Sequence, residues 1–261
     1  MKSLIRSVFS RSGATGSGAE APPPALPAGT RAYAIGDVHG QLHLLDNLLR
    51  QIDADVAAGA PADVAEIFLG DYVDRGPDSA GVIERLCERA GRADGRRRVF
   101  LRGNHEVYLA QFLADHAILA DWSRNGGITT IGSYGVNPTP TGADPATVRE
   151  AFVAAFPARH KTFLDGLDWM VRLGDVVFVH AGIRPDVPLE AQSPQDLCLI
   201  RNEFLNHEGP LPVRVVHGHT PVKEPLATPW RVSVDTGAFA TGRLTCAVID
   251  GSSVRFLQTV A

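Results

Sequence analysis

Residues 31–52 run from an apolar strand, RAYAI, through a glycine-flanked turn, GDVHG, into a segment in which Leu45, Leu48, Leu49 and Ile52 recur at the helical period. This strand–turn–helix unit repeats at residues 65–90 and 98–120. A βαβαβ order of that kind constrains the chain to a parallel sheet with crossover helices. The first turn carries Asp37 and His39 at the carboxyl end of its strand, where α/β proteins gather functional side chains. Gly36 and Gly40 let the backbone bend there. An anionic oxygen and an imidazole on one loop suit a divalent metal, although Asp in such a turn can equally serve a local hydrogen bond.

Recurrence separates the two readings. The strand AEIFLG is followed by Asp71 in GDYVDRGPD, and RRVFLR by GNHE at 103–106. Further on, VVFV leads to HAG at 180–182 and VRVV to HGHT at 217–220. Asp37, His39, Asp71, Asn104, His180 and His219 therefore all stand just past strand ends, on one sheet edge if the strands are parallel. Two divalent ions about 3.5–4 Å apart would be bridged by one carboxylate and a water. Asp37 and His39 would share an ion, Asp71 would bridge, and Asn104, His180 and His219 would complete the second. The oxygen and nitrogen donor set without thiolate points to manganese first, with iron or zinc as alternatives.

Expected strands are 31–35, 65–69, 98–101, 176–179, 213–216, 231–234, 244–249 and 253–257, and expected helices 42–52, 79–90, 105–120, 146–155 and 158–166. The strand-rich last third reads as antiparallel. Residues 1–29 read as a flexible leader, since 10–29 are rich in Ser, Gly, Ala and Pro. Residues 30–261 form a single domain, and the Gly- and Pro-rich 121–145 reads as a loop-like lid or specificity insert.

Taken in order, GDVHG, GDYVDRG, GNHE, HAG and GHT resemble the serine/threonine phosphoprotein phosphatases of the PPP family, over residues 35 to about 245. The resemblance implies an α/β metallophosphoesterase fold, mixed β-sheets sandwiched and flanked by helices, with a dimetal site at the strand ends. It implies Asp71 as the bridging carboxylate, and metal-activated water attacking phosphorus in line. His105 would be the proton donor, oriented by Asp74. Arg75 would bind phosphoryl oxygens in a forked geometry, unless it pairs only with Asp74. Arg201, in LCLIRNEF, resembles the second phosphate-binding arginine; the alternative is an exposed helix arginine. Arg102 and Asp235 read as supports, and His217 as core or support beside the ligand His219. His43, His116, His160 and His207 lack such context and are expected at the surface.

Composition excludes other classes. With 25 basic against 29 acidic residues the formal charge is −4, and no basic stripe stands out, so nucleic-acid binding is not expected. Cys87, Cys198 and Cys246 make neither a disulfide frame nor a zinc ribbon, which fits a reduced, cytoplasmic setting; Cys87 is expected in the core. No apolar run nears the roughly 18 residues that span a membrane. No cysteine has an arginine six positions on, and no GxxxxGK[ST] loop is present.

The motifs lead to hydrolysis of phosphomonoesters, with phosphoserine and phosphothreonine proteins or peptides as substrates and no obligatory regulatory subunit. The alternative is a symmetrical diadenosine tetraphosphate hydrolase, because the insert (Trp122, Asn125-Gly126-Gly127, Ser133-Tyr134-Gly135), HAGIRP and VDTGAFATGRL resemble a bacterial branch holding both activities. An aromatic platform from Trp122 or Tyr134 would favour that alternative.

Overall fold

The computed structural model describes residues 22–59, 61–137 and 144–260, the side chain of residue 260 excepted. Its strands and helices, in chain order, are β1 Thr30–Ile35, α1 Leu42–Ala57, β2 Asp63–Phe68, α2 Ser79–Ala90, β3 Arg97–Phe100, α3 Asn104–Ala114, α4 Leu119–Arg124, α5 Gly127–Ser133, α6 Pro145–Ala155 and α7 Ala158–Asp165. There follow β4 Met170–Leu173, β5 Val176–Val179, α8 Pro194–Leu199, α9 Asn202–Leu205, β6 Arg214–His217, β7 Leu226–Ala227, β8 Arg231–Ser233, α10 Ala238–Thr241, β9 Arg243–Asp250 and β10 Ser253–Val260.

These strands form two five-stranded mixed sheets, ordered β10-β9-β1-β2-β3 and β4-β5-β6-β8-β7. Side-chain alternation explains why they stack. In β1, Ala32 and Ala34 face a core shared with Val176 and Phe178 of β5, together with Ile67, Val216, Val232 and Ile249. Tyr33 and Ile35 face the other way, onto Leu44, Leu45, Leu48 and Ile52 of α1. Val177 and Val179 likewise turn outward, onto Leu197 and Phe204. Each sheet is thus apolar on both faces, which gives a sandwich covered by helices, as the motif resemblance implied.

β1, β2 and β3 are parallel, as expected. The antiparallel expectation for the last third holds for β9 and β10 and fails for β6, which runs parallel to both β5 and β8. The segment containing α8 and α9 supplies the crossover that a parallel pair requires. β4 and β7 were not expected: β7 is two exposed residues with no readable period.

The expected helix 105–120 ends at Ala114. Asp115 is extended (φ −145°, ψ 129°), and its carboxylate accepts from Ala117 N (3.0 Å), starting a new turn. The segment read as a loop, 121–145, contains the end of α4 and all of α5. Its glycines signalled a turn, yet Gly127 serves close packing, since a β-carbon there would overlap the Trp122 ring. The leader expected at 1–29 lies outside the described residues up to 21. From there the chain is tied down: Leu26 is buried against the inter-sheet core, and its N–H donates to Gly251 O (3.0 Å). Cys87 is half-buried at the edge of the core.

Candidate active site

The motif loops leave the carboxyl ends of β1, β2 and β3 in one sheet and of β5 and β6 in the other, so the candidate ligands come from both layers rather than from one sheet edge. Holding them together strains the backbone. The non-glycine residues with positive φ among the described residues are His39, Asp71, Asp74, Arg75, Asp186 and His219, and five of these six are candidate site residues. Such conformations cost of order 1–3 kcal/mol each and persist where the surroundings over-determine them.

Asp71 is the hub. One carboxylate oxygen, Oδ2, lies 3.6 Å from His39 Nε2, and the other, Oδ1, lies 3.4 Å from His180 Nε2. Two groups able to hold a cation, His39–Asp71–His105 and Asp71–His180–His219, therefore share this one residue. The imidazoles are oriented from behind. His39 Nδ1 donates to Val73 O (2.8 Å) and His180 Nδ1 to Leu69 O (2.9 Å), which leaves both Nε2 lone pairs facing Asp71. Asn104 Oδ1 lies 3.1 Å from His180 Nε2. Asp37 accepts from His219 N (3.1 Å), across the junction between the sheets. The glycine of GNHE is required by close approach, because a β-carbon at Gly103 would overlap Asp71 Oδ1.

Burial and mutual charge set the electrostatics. Asp37, His39, Asp71, His180 and His219 are all buried. Desolvation, then the charges of Asp235 and Asp71, push the Asp37 carboxyl well above its usual range. Burial pushes His39 and His219 down to about 3 and lowers His180, which favours the neutral imidazoles. Asp71 moves the opposite way: although burial acts to raise it, the attraction of any proton held on the surrounding imidazoles, His180 foremost, prevails and keeps it well below the carboxylate range. Neutral imidazoles beside compressed carboxylates make a donor set that divalent cations fit.

His105 lies beside this cluster and serves a different bond. Its Nδ1 is 2.6 Å from Asp74 Oδ2, in the pairing expected. Burial acts to lower its pKa, but Asp71 and Asp74 prevail and raise it. Asp74 is fully buried. It also accepts from Trp122 Nε1 (2.8 Å) on Oδ2 and from Thr130 Oγ1 (2.6 Å) on Oδ1. The carboxylate is therefore occupied by His105, α4 and α5, and Arg75 turns elsewhere, with Nη1 3.0 Å from His39 Nε2. Arg201 also reaches the cluster, its Nε 3.1 Å from His219 Nε2. Both arginines keep exposed surface.

Several assignments change or sharpen. Trp122, a stacking platform only under the dinucleotide alternative, is fully buried with its N–H on Asp74. Tyr134 packs among Phe152, Phe156 and His160 instead of facing the site. His160, expected at the surface, is buried, with its ring nitrogens 2.8 Å from Tyr134 Oη and 2.9 Å from Glu84 Oε2. His217 is a buried support, its Nε2 2.8 Å from Ser233 Oγ. Arg102 supports the loops by donating to Leu164 O (2.9 Å). Asp235 accepts from Gly237 N (2.8 Å), and desolvation above all raises it to about 6.

Sequence reasoning left Glu106 without a role. Its buried carboxylate accepts from the N–H groups of Asp71 (2.8 Å), Tyr72 (2.8 Å) and Gly103 (2.9 Å), tying two motif loops together. An acid closing a motif at the first turn of a helix was the available signal.

Comparisons with known proteins bear on the family and the fold. A curated relative, the asymmetrical bis(5'-nucleosyl)-tetraphosphatase PrpE of Bacillus thuringiensis, is 29% identical over 231 residues, covering 81% of this chain and 87% of that protein. The PrpE of Bacillus cereus strain AH187 is 28% identical with the same coverage. Among solved structures, a candidate diadenosine tetraphosphatase superposes with a TM-score of 0.58 at 23% identity, over 89% of this chain and 98% of that one. The family described as calcineurin-like phosphoesterase matches residues 30–242, and the chain belongs to that family.

Proposed function

We propose that this protein is a dimetal hydrolase of dinucleoside polyphosphates that cleaves their phosphoanhydride bonds asymmetrically, releasing a nucleoside monophosphate and a nucleoside triphosphate from a tetraphosphate. The observation that carries this substrate class is the PrpE relatives, named asymmetrical bis(5'-nucleosyl)-tetraphosphatases and matched over 87% of their length. The motifs alone led to phosphoserine and phosphothreonine esters, with symmetrical cleavage as the alternative. The phosphate-handling groups serve both chemistries, so the motifs do not discriminate between them.

Asp37 and His39 would hold one ion, Asn104, His180 and His219 the other, and Asp71 both. Manganese is the first candidate, then iron or zinc. When bound, two such ions supply Lewis-acid charge and activate water. Arg75 and Arg201, exposed beside His39 and His219, bind the phosphoryl oxygens and align the phosphorus. His105 gives its proton to the oxygen that leaves phosphorus, and Asp74 holds the imidazole for that transfer. The water oxygen bonds to phosphorus as the P–O bond to the departing nucleotide breaks.

The test is a parallel assay of protein reloaded with Mn²⁺ on diadenosine tetraphosphate and on a phosphothreonine peptide. Faster dinucleotide cleavage into AMP and ATP is the expected result. Two molecules of ADP would mean symmetrical cleavage, and preference for the peptide would restore the phosphoprotein reading.

A further inference from the structure

Removal of Trp122 and Tyr134 from the site leaves open what an aromatic base would meet there. Among the described residues the exposed large hydrophobic side chains are Val153, Leu199, Leu226 and Phe239, and only Phe239 is aromatic. It sits on α10, immediately after the strand-end sequence VDTG, and remains 39% exposed. Its neighbours are site residues. Its ring meets His39 edge-on with centroids 5.4 Å apart, and the Arg75 guanidinium carbon lies 4.7 Å from the ring centroid.

An open phenyl ring here has a physical use. The ring gives the Arg75 guanidinium an aromatic face to rest on. The ring's exposed surface lies beside Arg75, so a group attached to a phosphate held by Arg75 has an aromatic surface within reach. A purine is flat, apolar on its faces and tolerant of stacking partners, so it covers that surface without requiring a hydrogen-bond match. A phosphorylated serine in a peptide carries no such plane.

We infer that Phe239 is the platform for one nucleobase of the substrate, stacked on the exposed part of its ring, and so determines specificity for nucleotides over simple phosphate esters. This inference rests on the dinucleotide reading above.

The decisive measurement compares Phe239→Leu and Phe239→Trp with the wild type on two substrates, diadenosine tetraphosphate and glycerol 2-phosphate, which has no aromatic plane. Leucine keeps apolar bulk against His39 and Arg75, so it separates stacking from packing. The ratio of kcat/KM for the dinucleotide to that for the ester should fall about tenfold in Phe239→Leu, through KM, as for the loss of one base–aromatic stack. It should be retained in Phe239→Trp. An unchanged ratio in the leucine variant overturns the inference while leaving the dinucleotide reading intact. A wild type that cleaves the ester and leaves the dinucleotide untouched overturns both. Thermal melting of each variant confirms that the exposed substitution leaves the fold in place.

Discussion

The Nδ1 atom of His105 and the Oδ2 atom of Asp74 stand 2.6 Å apart in a fully desolvated setting, and the indole N–H of Trp122 approaches the same oxygen at 2.8 Å. A buried carboxylate that accepts two such donors is fixed in orientation, and the proton on His105 is fixed with it. The site's acid is thus positioned by α3, by the loop after β2 and by the insert α4–α5 together.

Replacing Asp74 by Asn should lower kcat by about 10²-fold on an alkyl phosphate, within the range for general acid catalysis. The loss should be several-fold smaller on diadenosine tetraphosphate, whose departing phosphate needs its proton less than an alkoxide does. Steady-state assays of the one variant on both substrates check this. Equal losses on the two would remove His105 from the role of proton donor.

Trp122→Phe keeps an aromatic ring in the core but withdraws the donor from Asp74. Hydrogen bonds to charged groups contribute about 1.5–3 kcal/mol, and in a chain of this size each kcal/mol moves Tm by roughly 2–4 °C. The variant should melt several degrees lower and lose activity on the alkyl phosphate more than on the dinucleotide, the same signature as Asp74→Asn in weaker form. Calorimetry with the two-substrate assay reads both effects.

Asp37 is 2% exposed and shares its surroundings with Asp71 and Asp235. Without metal this crowding of negative charge destabilises the fold. Asp37→Asn should therefore melt at or above the wild type in chelator. Added Mn²⁺ should reverse the order, because the wild type gains binding free energy that the variant lacks. Metal analysis should give two ions per wild-type chain. Melting curves in chelator and in Mn²⁺ decide the point, and an order that does not cross would exclude Asp37 as a ligand.

Away from the site, Arg89 is buried between Glu66 (Nη2–Oε1 2.7 Å) and Asp53 (Nη2–Oδ1 2.8 Å). Burial alone would raise the Glu66 carboxyl, but hydrogen bonds from Arg89 and Arg96 and the charge of Arg98 hold it below its ordinary value. For a depressed carboxylate, the stabilisation is complete above the ordinary range and is lost as pH falls through the folded-state value. Arg89→Met should cost up to about 3 kcal/mol at pH 7, the low end for breaking a buried pair, since Arg96 and Arg98 remain. The difference from wild type should shrink at pH 4, where Glu66 in the variant takes up its proton. Urea denaturation at the two pH values tests the sign.

Much of this protein was legible in the chain itself. Helix α2 was expected at 79–90 and is found there, because the apolar spacing of Val82, Ile83 and Leu86 and the capping Asp78 are local signals. The positions of Asp37 and Asp71 on strand-end turns, and of His105 at the start of the helix after β3, were legible for the same reason, since glycines and strand lengths fix where a turn falls. Tertiary structure alone decided which side chains meet. Trp122 reaches Asp74 across 48 residues and Arg201 reaches His219 across 18. Phe239 comes to His39 only because α10 packs beside the loop after β1. Local periodicity carries no record of such contacts. They depend on how two sheets stack and which strand ends converge, and that packing placed Trp122 in the core and left Phe239 open at the site.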